Sequence, residues 1–311
     1  MATNKFFRSG TVDRKTYSDQ LSKTFDVMWL RSKAEVTELQ EFFETINMSE
    51  GDTFKIGSVG SSLTYPIRNE DTDTKPFAQV ATGYNKTITV YPYRLFVRVT
   101  DNMRRMERYS KVEGMVSGLP MAAVAKKEAM RATIFNSQTF SGTAGADSLA
   151  LCHNSHPHEN TEYGTWDNLS TGVLNVDNLH TLRLLADKMT NEFGRPYPVE
   201  LKKLLIPPDL RRKAAELMRA DMDPESALNT PNVLINEMTY KVSHKLTDTD
   251  AYFGFGNLKG EERGILEVSL MAPEVKDDEP ANVDILIQKR IKFICAFGYT
   301  RSKNIVASAG A

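Results

Sequence analysis

Alternating apolar and polar residues predict strands in one part of the chain and helices in others. Two β-branched and aromatic runs, at 53–59 and 82–100, flank a charged segment and predict a long β-hairpin. Pro92 denies the second run one backbone donor, so it should bend that strand or lie at a sheet edge. Nineteen strand residues reach about 60 Å, against a radius of gyration of ~20 Å for a compact chain of this length. The hairpin therefore either folds back or lies on a neighbouring molecule.

The N-terminal part of the chain has a different pattern. Residues 1–33 alternate charged and small polar residues with isolated aromatic ones, which predicts an extended arm that gains order by lying on another surface. Residues 34–46 place Val36, Leu39 and Phe43 at helical spacing, with glutamates on the other side. This pattern predicts a short amphipathic helix.

The middle of the chain predicts a helix in two pieces over 101–140. Gly114 and Gly118 loosen the first piece, and Pro120 suits the first turn of the second. The second piece, at 120–137, consists of good helix formers and makes a rod of about 27 Å.

The second half predicts a mixed layer of short helices and strands. Asp177 can cap one helix, and Pro207 with Pro208 can open another. The strand-like runs that accompany them lie at 201–206, 233–235, 239–242, 251–255, 265–270, 283–287 and 292–297. The length of 311 residues fits about two domains.

Composition excludes several classes of protein. With 41% hydrophobic and 25% charged residues, the chain is neither disordered nor a collagen-like or coiled-coil rod. The balance of 39 Lys+Arg against 40 Asp+Glu argues against a dedicated nucleic-acid-binding protein. Two cysteines fit a reducing compartment, and the sequence has neither a signal peptide nor an apolar run that could span a membrane. We therefore expect a soluble protein that is not exported, so the glycosylation triplets at Asn47, Asn85 and Asn168 carry little meaning.

The charge is distributed unevenly along the chain. Residues 1–33 carry a net charge of +4, residues 247–280 a net −6 and residues 281–311 a net +4. Blocks of opposite sign can meet within a molecule or between copies and set their register. Solvated surface is the alternative interpretation.

The candidate chemistry lies in one short segment, which gathers Cys152, His153, His156 and His158. Thiolate and imidazole are zinc ligands, and a cysteine near histidines could also act as a nucleophile. The spacing argues against a zinc site, because zinc sites usually take ligands from separate parts of the chain and no second Cys/His pair is present. Nothing in the sequence marks an orienting group or an oxyanion hole for a nucleophile. A polar turn before a proline is the alternative, so we predict no metal, no cofactor and no catalytic residue.

Basic residues on the central helical segment give 101–131 a net charge of +3. The candidates for contact with nucleic-acid phosphates, independent of base sequence, are Arg104, Arg105, Arg108, Lys126 and Lys127. A solvated helix face, which would also include Arg131, is the alternative.

The order of these parts resembles the major capsid protein of tailed double-stranded DNA bacteriophages, whose fold is named after the Hong Kong 97 phage. Three local features carry the resemblance. The Gly/Ser-rich loop leads into Leu-Ala-Leu-Cys-His-Asn-Ser-His-Pro at 149–157. Gly-Arg-Pro at 194–196 and Leu-Leu-Ile-Pro-Pro at 204–208 precede a helix, and Asp-Ala-Tyr-Phe-Gly-Phe at 250–255 forms a later strand.

The resemblance implies an α+β fold with an N-terminal arm at 1–48 and an extended β-hairpin loop at 49–100. It implies a peripheral domain formed by 101–175 with 281–311, which contains the spine helix, and an axial domain at 176–280. Contacts between subunits would then be made by residues of this loop: Arg68, Glu70, Asp71, Asp73, Lys75, Tyr91, Tyr93 and Phe96.

The resemblance also implies the function. It predicts a structural, non-enzymatic subunit that self-assembles through hexamers and pentamers into the icosahedral head around the phage DNA, in the virion after assembly in the host cytoplasm. The implied partners are further copies of the chain, a portal, separate scaffolding or decoration proteins and loosely contacted DNA, with no membrane. Two alternatives remain: an encapsulin-like shell without DNA, and an enzyme that uses the Cys152–His158 segment.

Overall fold

The computed structural model describes residues 37–62, 79–100, 102–103, 109–158, 161–191, 194–222, 231–232, 234, 237–256, 264–278, 285–300 and 303–310. Several positions named in the sequence analysis lie outside these ranges: the first 36 residues, the predicted hairpin tip at 68–75, Arg104, Arg105, Arg108, Val233 and Ile235. No helix of the described residues is long and apolar enough to cross a membrane.

The N-terminal part of the described chain is not the predicted amphipathic helix. A 3-10 turn, Gln40–Phe42, leads into strand β1, Glu44–Asn47. The rings of Phe42 and Phe43 are both buried, against Phe255 at 4.5 Å and Phe297 at 5.8 Å between ring centroids. Consecutive residues point about 100° apart on a helix, so one helical face could not bury both rings so well. The prediction of a helix at 37–46 is wrong because tertiary packing decides this segment.

The predicted hairpin exists but ends earlier than expected. Strands β2, Thr53–Ser62, and β3, Gln79–Thr89, pair antiparallel and form a two-stranded sheet. Strand β4, Tyr91–Thr100, is separate and belongs to another sheet, so the prediction of one strand over 82–100 is wrong. The chain changes sheets at Val90, whose N–H donates to the Asp52 carbonyl at 2.9 Å.

The central helix is continuous where two pieces were predicted. Helix α1, Tyr109–Thr133, contains Pro120 in its interior and runs into a π-helical turn, Ile134–Gln138. A proline inside a helix removes one hydrogen bond, but Leu119 and Pro120 are buried. Pro120 therefore lies on a packed side of the helix interior and does not begin a new helix.

Two long strands replace several predicted short ones. Strands β11, Ile265–Asp278, and β12, Ile285–Tyr299, lie at the centre of a four-stranded sheet in the order β1-β11-β12-β4. Strand β1 runs parallel to β11, with Glu44 opposite Leu266. Strand β4 lies at an edge of this sheet, as predicted from Pro92.

A five-stranded sheet contains the most buried strands. The short β-bridge strands β5, His156–Pro157, and β6, Thr165–Trp166, pair with each other and precede it. The sheet has the order β7-β13-β10-β8-β9. Its strands are β7, Leu169–Ser170; β8, Lys203–Ile206; β9, Thr239–Val242; β10, Tyr252–Phe255; and β13, Ile305–Ser308. The predicted runs at 201–206, 239–242 and 251–255 are thereby confirmed, while β13 was missed.

Both faces of the five-stranded sheet are covered. One face packs against helices α2, Val176–Asp187, and α3, Arg211–Arg219, through Leu204, Tyr252 and Val306. The other face packs against the end of α1 and the π-helical turn. Both predicted helices are confirmed, but the α2 cap is Asn175, whose side chain accepts the Asn178 N–H at 2.7 Å, and not Asp177.

The chain forms two compact units. The smaller unit includes the described parts of 92–127 and 271–294, and the larger unit contains 38–91, 128–270 and 295–311. The two apolar clusters on the faces of the five-stranded sheet belong to the larger unit. In the smaller unit, apolar residues such as Val99, Leu119 and Ile291 are buried.

Candidate functional site

Cys152, the candidate nucleophile or metal ligand, is fully buried in the larger unit. It lies in one of the apolar clusters with Leu151 and Phe253, and its backbone N–H donates to the Thr139 carbonyl at 2.8 Å. Burial raises the pKa of its thiol far above the usual range. A thiol in such surroundings stays protonated and unreactive.

The three histidines of this segment have separate structural partners. His156 Nδ1 lies 2.6 Å from Asp147 Oδ2, and its ring stacks on Trp166 at 4.4 Å between centroids. His158 Nε2 lies 3.0 Å from Thr190 Oγ1. His153 Nδ1 lies 3.1 Å from the Ser155 backbone N, which donates to it. Among the described residues, no three or more His, Cys, Asp or Glu side chains are grouped so as to hold a metal ion.

Asp147 makes a close polar contact with His156 of this segment. Burial opposes its ionisation, but the hydrogen bond and the charge of His156 outweigh that effect, so the pKa of Asp147 is lower than its ordinary value. The pair therefore attaches the loop before β5 to the core.

Asn168 is a structural residue that the sequence analysis missed. Its side chain is buried, donates to the Leu151 and Ile305 carbonyls at 3.0 and 3.2 Å, and accepts the His153 N–H at 2.8 Å. It thus connects the cysteine–histidine segment to β13. The sequence signal at this position, an Asn-x-Ser triplet, suggested only a glycan.

A buried charge cluster was also missed. Arg131 lies between Glu128, at 3.0 Å, and Glu267, at 3.2 Å, and all three side chains are nearly inaccessible to solvent. Burial raises the pKa of Glu128, although Arg131 and the Leu39 N–H act against that rise. The interpretation of Arg131 as part of a solvated helix face is therefore wrong.

The predicted contact residues of β4 are exposed to different degrees. The side chains of Tyr91 and Phe96 are 58% and 44% exposed. Tyr93 is half-buried because its ring stacks on Phe293, with 5.2 Å between centroids. The other candidates, Arg68, Glu70, Asp71, Asp73 and Lys75, lie outside the described residues.

Two predicted phosphate-contacting residues have aromatic neighbours. Lys126 Nζ lies 5.7 Å from the centroid of the Tyr93 ring, and Lys127 Nζ lies 5.9 Å from that of Phe293. These are cation–π distances. Both lysines therefore help to attach α1 to the sheet of the smaller unit. Whether they also contact phosphate stays a prediction.

A polar cleft of about 140 Å³ in the larger unit is lined by Arg183, Asp187, Glu200 and Glu237 among others. Arg183 forms an ion pair with Glu237 there. Small-molecule sites usually enclose about 300–1,000 Å³ and are mainly apolar. The cleft does not fit that description.

Comparison with known proteins defines the class. The family model described as "Phage capsid protein" matches residues 83–306, more than half of the chain. A comparison with curated proteins finds no match. The capsid of cyanophage P-SCSP1u has a TM-score of 0.56 at 13% identity, with 89% of each chain covered. Mycobacterium phage Bobi has a TM-score of 0.52 at 14% identity, covering 97% of this chain and 99% of that one.

A third solved structure is a virus-like particle from Pyrococcus furiosus, with a TM-score of 0.51 at 11% identity, covering 93% of this chain and 99% of that one. The chain belongs to the phage capsid protein family. It has the α+β fold of the Hong Kong 97 type and is a structural major capsid protein of a phage head.

Proposed function

We propose that many copies of this chain form a closed icosahedral shell around double-stranded phage DNA, and that the subunit has no catalytic role. The β2–β3 hairpin is the observation that carries this proposal. Its strands of 10 and 11 residues pair only with each other among the described residues. Isolated two-stranded sheets are marginally stable in water, so a neighbouring subunit is the natural support for the part far from the core.

Buried residues and a hydrogen bond hold the base of the β2–β3 hairpin in place. Ile88 and Val90 are buried, and Lys86 Nζ donates to the Gly145 carbonyl at 3.5 Å. From Thr53 to Gly57, exposed residues alternate with half-buried ones. A fixed base with a partly exposed ladder suits a loop that reaches across an adjacent subunit.

We assign the parts of the chain accordingly. Residues 1–48 are the arm, 49–100 the extended loop, 101–175 with 281–311 the peripheral domain, and 176–280 the axial domain that meets its copies in hexamers and pentamers. A portal, separate scaffolding and decoration proteins complete the head, which assembles in the host cytoplasm. Tyr91, Tyr93 and the loop tip contact neighbouring subunits in this scheme.

Deleting residues 68–75 tests the proposal. The folded subunit should keep its free energy of unfolding to within about 0.5 kcal/mol, as for surface changes away from packed groups. The yield of closed particles in electron micrographs should fall, because the loop loses its reach. Unchanged particle yield and stability after the loop deletion would contradict this role for the hairpin.

A shell without DNA is the second candidate, favoured by the similarity to the Pyrococcus furiosus virus-like particle. Purified particles from infected cells distinguish the two functions. Nuclease-protected genomic DNA inside the particles supports a phage head, and empty or protein-filled particles support the alternative.

A further inference from the structure

The two faces of the sheet in the smaller unit differ in how far their side chains are exposed. On strand β12, Lys289, Ile291 and Phe293 are buried, whereas Arg290 and Lys292 between them are half-exposed. Successive strand residues point to opposite faces. The sheet therefore has a covered face, which carries Phe293, and an open face, which carries Arg290 and Lys292.

Helix α1 identifies the covered face. Lys127 lies over the Phe293 ring, and Lys126 lies over Tyr93, which stacks on Phe293. Tyr93 and Phe293 therefore share the face that α1 covers. On β4, the side chains that alternate with Tyr93 are those of Arg94, Phe96 and Arg98, and all three are exposed. These residues belong to the open face.

The open face carries a net positive charge. Arg290 lies 3.7 Å from Asp278, and Lys276 lies 3.1 Å from Glu274, so these four charges balance. Arg94, Arg98 and Lys292 form no ion pair with another residue of the described part of the chain. Alternation places Lys292 on the same face as Arg94 and Arg98, so the three cations give this face a net charge of +3 among the described residues of the smaller unit.

We propose that this open face, with Arg94, Arg98 and Lys292, binds the phosphate backbone of the packaged duplex DNA without base specificity. The proposal depends on the proposed function, since it requires this face to line the inside of the shell. Arg94 and Arg98 are about 13 Å apart along the strand at about 3.3 Å per residue. That spacing allows them to contact separate phosphates of a duplex. A guanidinium group also matches phosphate geometry in a bidentate manner.

The proposal changes two expectations from the sequence. Phosphate contact moves from Lys126 and Lys127, which interact with rings on the covered face, to the arginines of β4. Phe96 lies between Arg94 and Arg98, and it was predicted to contact a second copy of the chain. A face filled by a neighbouring subunit could not also bind DNA, so an experiment can distinguish the two.

The test measures binding of a fluorescent short duplex DNA to the unassembled full-length chain at several salt concentrations. Each phosphate contact contributes about 0.9 to the slope of log affinity against log salt. The double variant Arg94→Gln/Arg98→Gln should therefore lose about 2 units of slope. The variant Arg94→Lys/Arg98→Lys should retain the slope. Both positions are exposed, and near-ultraviolet circular dichroism verifies that each variant is folded.

The matched control is Arg211→Gln/Arg212→Gln, which removes the same charge from exposed positions on α3. Its slope should remain that of the unmodified chain.

Equal losses of slope in the two double variants would overturn the proposal, because the effect would then follow total charge. It would also be overturned if the unmodified chain failed to bind DNA. An unchanged slope combined with loss of particles would overturn it in favour of a contact between copies. The proposed function is tested separately, by whether closed particles are seen in electron micrographs.

Discussion

Strands β10 and β4 are both rich in aromatic residues but have opposite surroundings. All four residues of β10 are buried, because helices cover one face of its sheet and the end of α1 covers the other. Most residues of β4 are exposed, because this strand lies at the edge of its sheet. The difference shows that apolar content alone does not decide burial. The aromatic residues of β10 stabilise the subunit, whereas Tyr91 and Phe96 of β4 are available for contacts outside it.

The largest expected effect follows from β10. Phe253 packs against Phe135 at 5.2 Å and Phe140 at 5.9 Å between ring centroids. Replacing Phe253 with Ala should lower the free energy of unfolding by about 3–5 kcal/mol, because a cavity replaces a buried ring. Urea unfolding of the unassembled chain measures this change.

The matched variant on β4 sharpens the comparison. Phe96→Ala should change the free energy of unfolding by about 0.5 kcal/mol or less, since the ring is already exposed. If the two variants destabilised the chain equally, the distinction between the two strands would be wrong.

Loss of a buried polar contact should lower the free energy of unfolding less than loss of a buried ring does. Asp147→Asn should cost about 1.5–3 kcal/mol at neutral pH, the range for a hydrogen bond to a charged group. The exposed pair of Glu200 and Lys202, 3.1 Å apart, provides the contrast. Glu200→Gln should cost between 0 and about 1 kcal/mol.

The pH dependence gives a second readout for Asp147. Its pKa in the folded chain is below the ordinary value of 3.8. The ionised carboxylate therefore contributes stability above that ordinary value, and this contribution is lost as pH falls through the folded-state pKa. The difference in stability between the unmodified chain and Asp147→Asn should shrink in acid. A stability difference that stayed constant as the pH fell through the folded-state pKa of Asp147 would contradict the role of the ionised carboxylate.

The smallest effect concerns the covered face of the smaller unit. Lys126→Gln removes a cation over the Tyr93 ring and should lower the free energy of unfolding by about 0.5–1 kcal/mol. Lys55→Gln, at an exposed position on β2, serves as the control and should change it less. Equal losses in urea unfolding would mean that the ring contact contributes nothing.

Local patterns predicted the parts of the fold that depend on neighbouring residues. The helix at 211–219 and the strand at 252–255 follow from apolar spacing and from Pro207 and Pro208. The structure of residues 37–46 does not follow from local apolar spacing, because pairing with β11 and burial of two adjacent rings override helical spacing.

The candidate site was predictable only in outline. Spacing argued against a metal cluster at the cysteine–histidine segment, but it did not indicate the separate partners that His156 and His158 have in the structure. The role of Asn168 depends on carbonyls at Leu151 and Ile305, and the latter is 137 positions away. Arg131 likewise reaches a carboxylate on β11, 136 positions distant. No local pattern encodes such contacts.

Composition and neighbouring residues were enough to predict the class of the chain, its order of segments, the hairpin and the resemblance to phage capsid proteins. Long-range packing, in contrast, sets which charged groups are buried and which face of the sheet containing β4 remains open. The physical reason is that burial depends on which distant segment covers a side chain. Sequence periodicity can define the two faces of a strand, but it cannot identify the face that another element will cover.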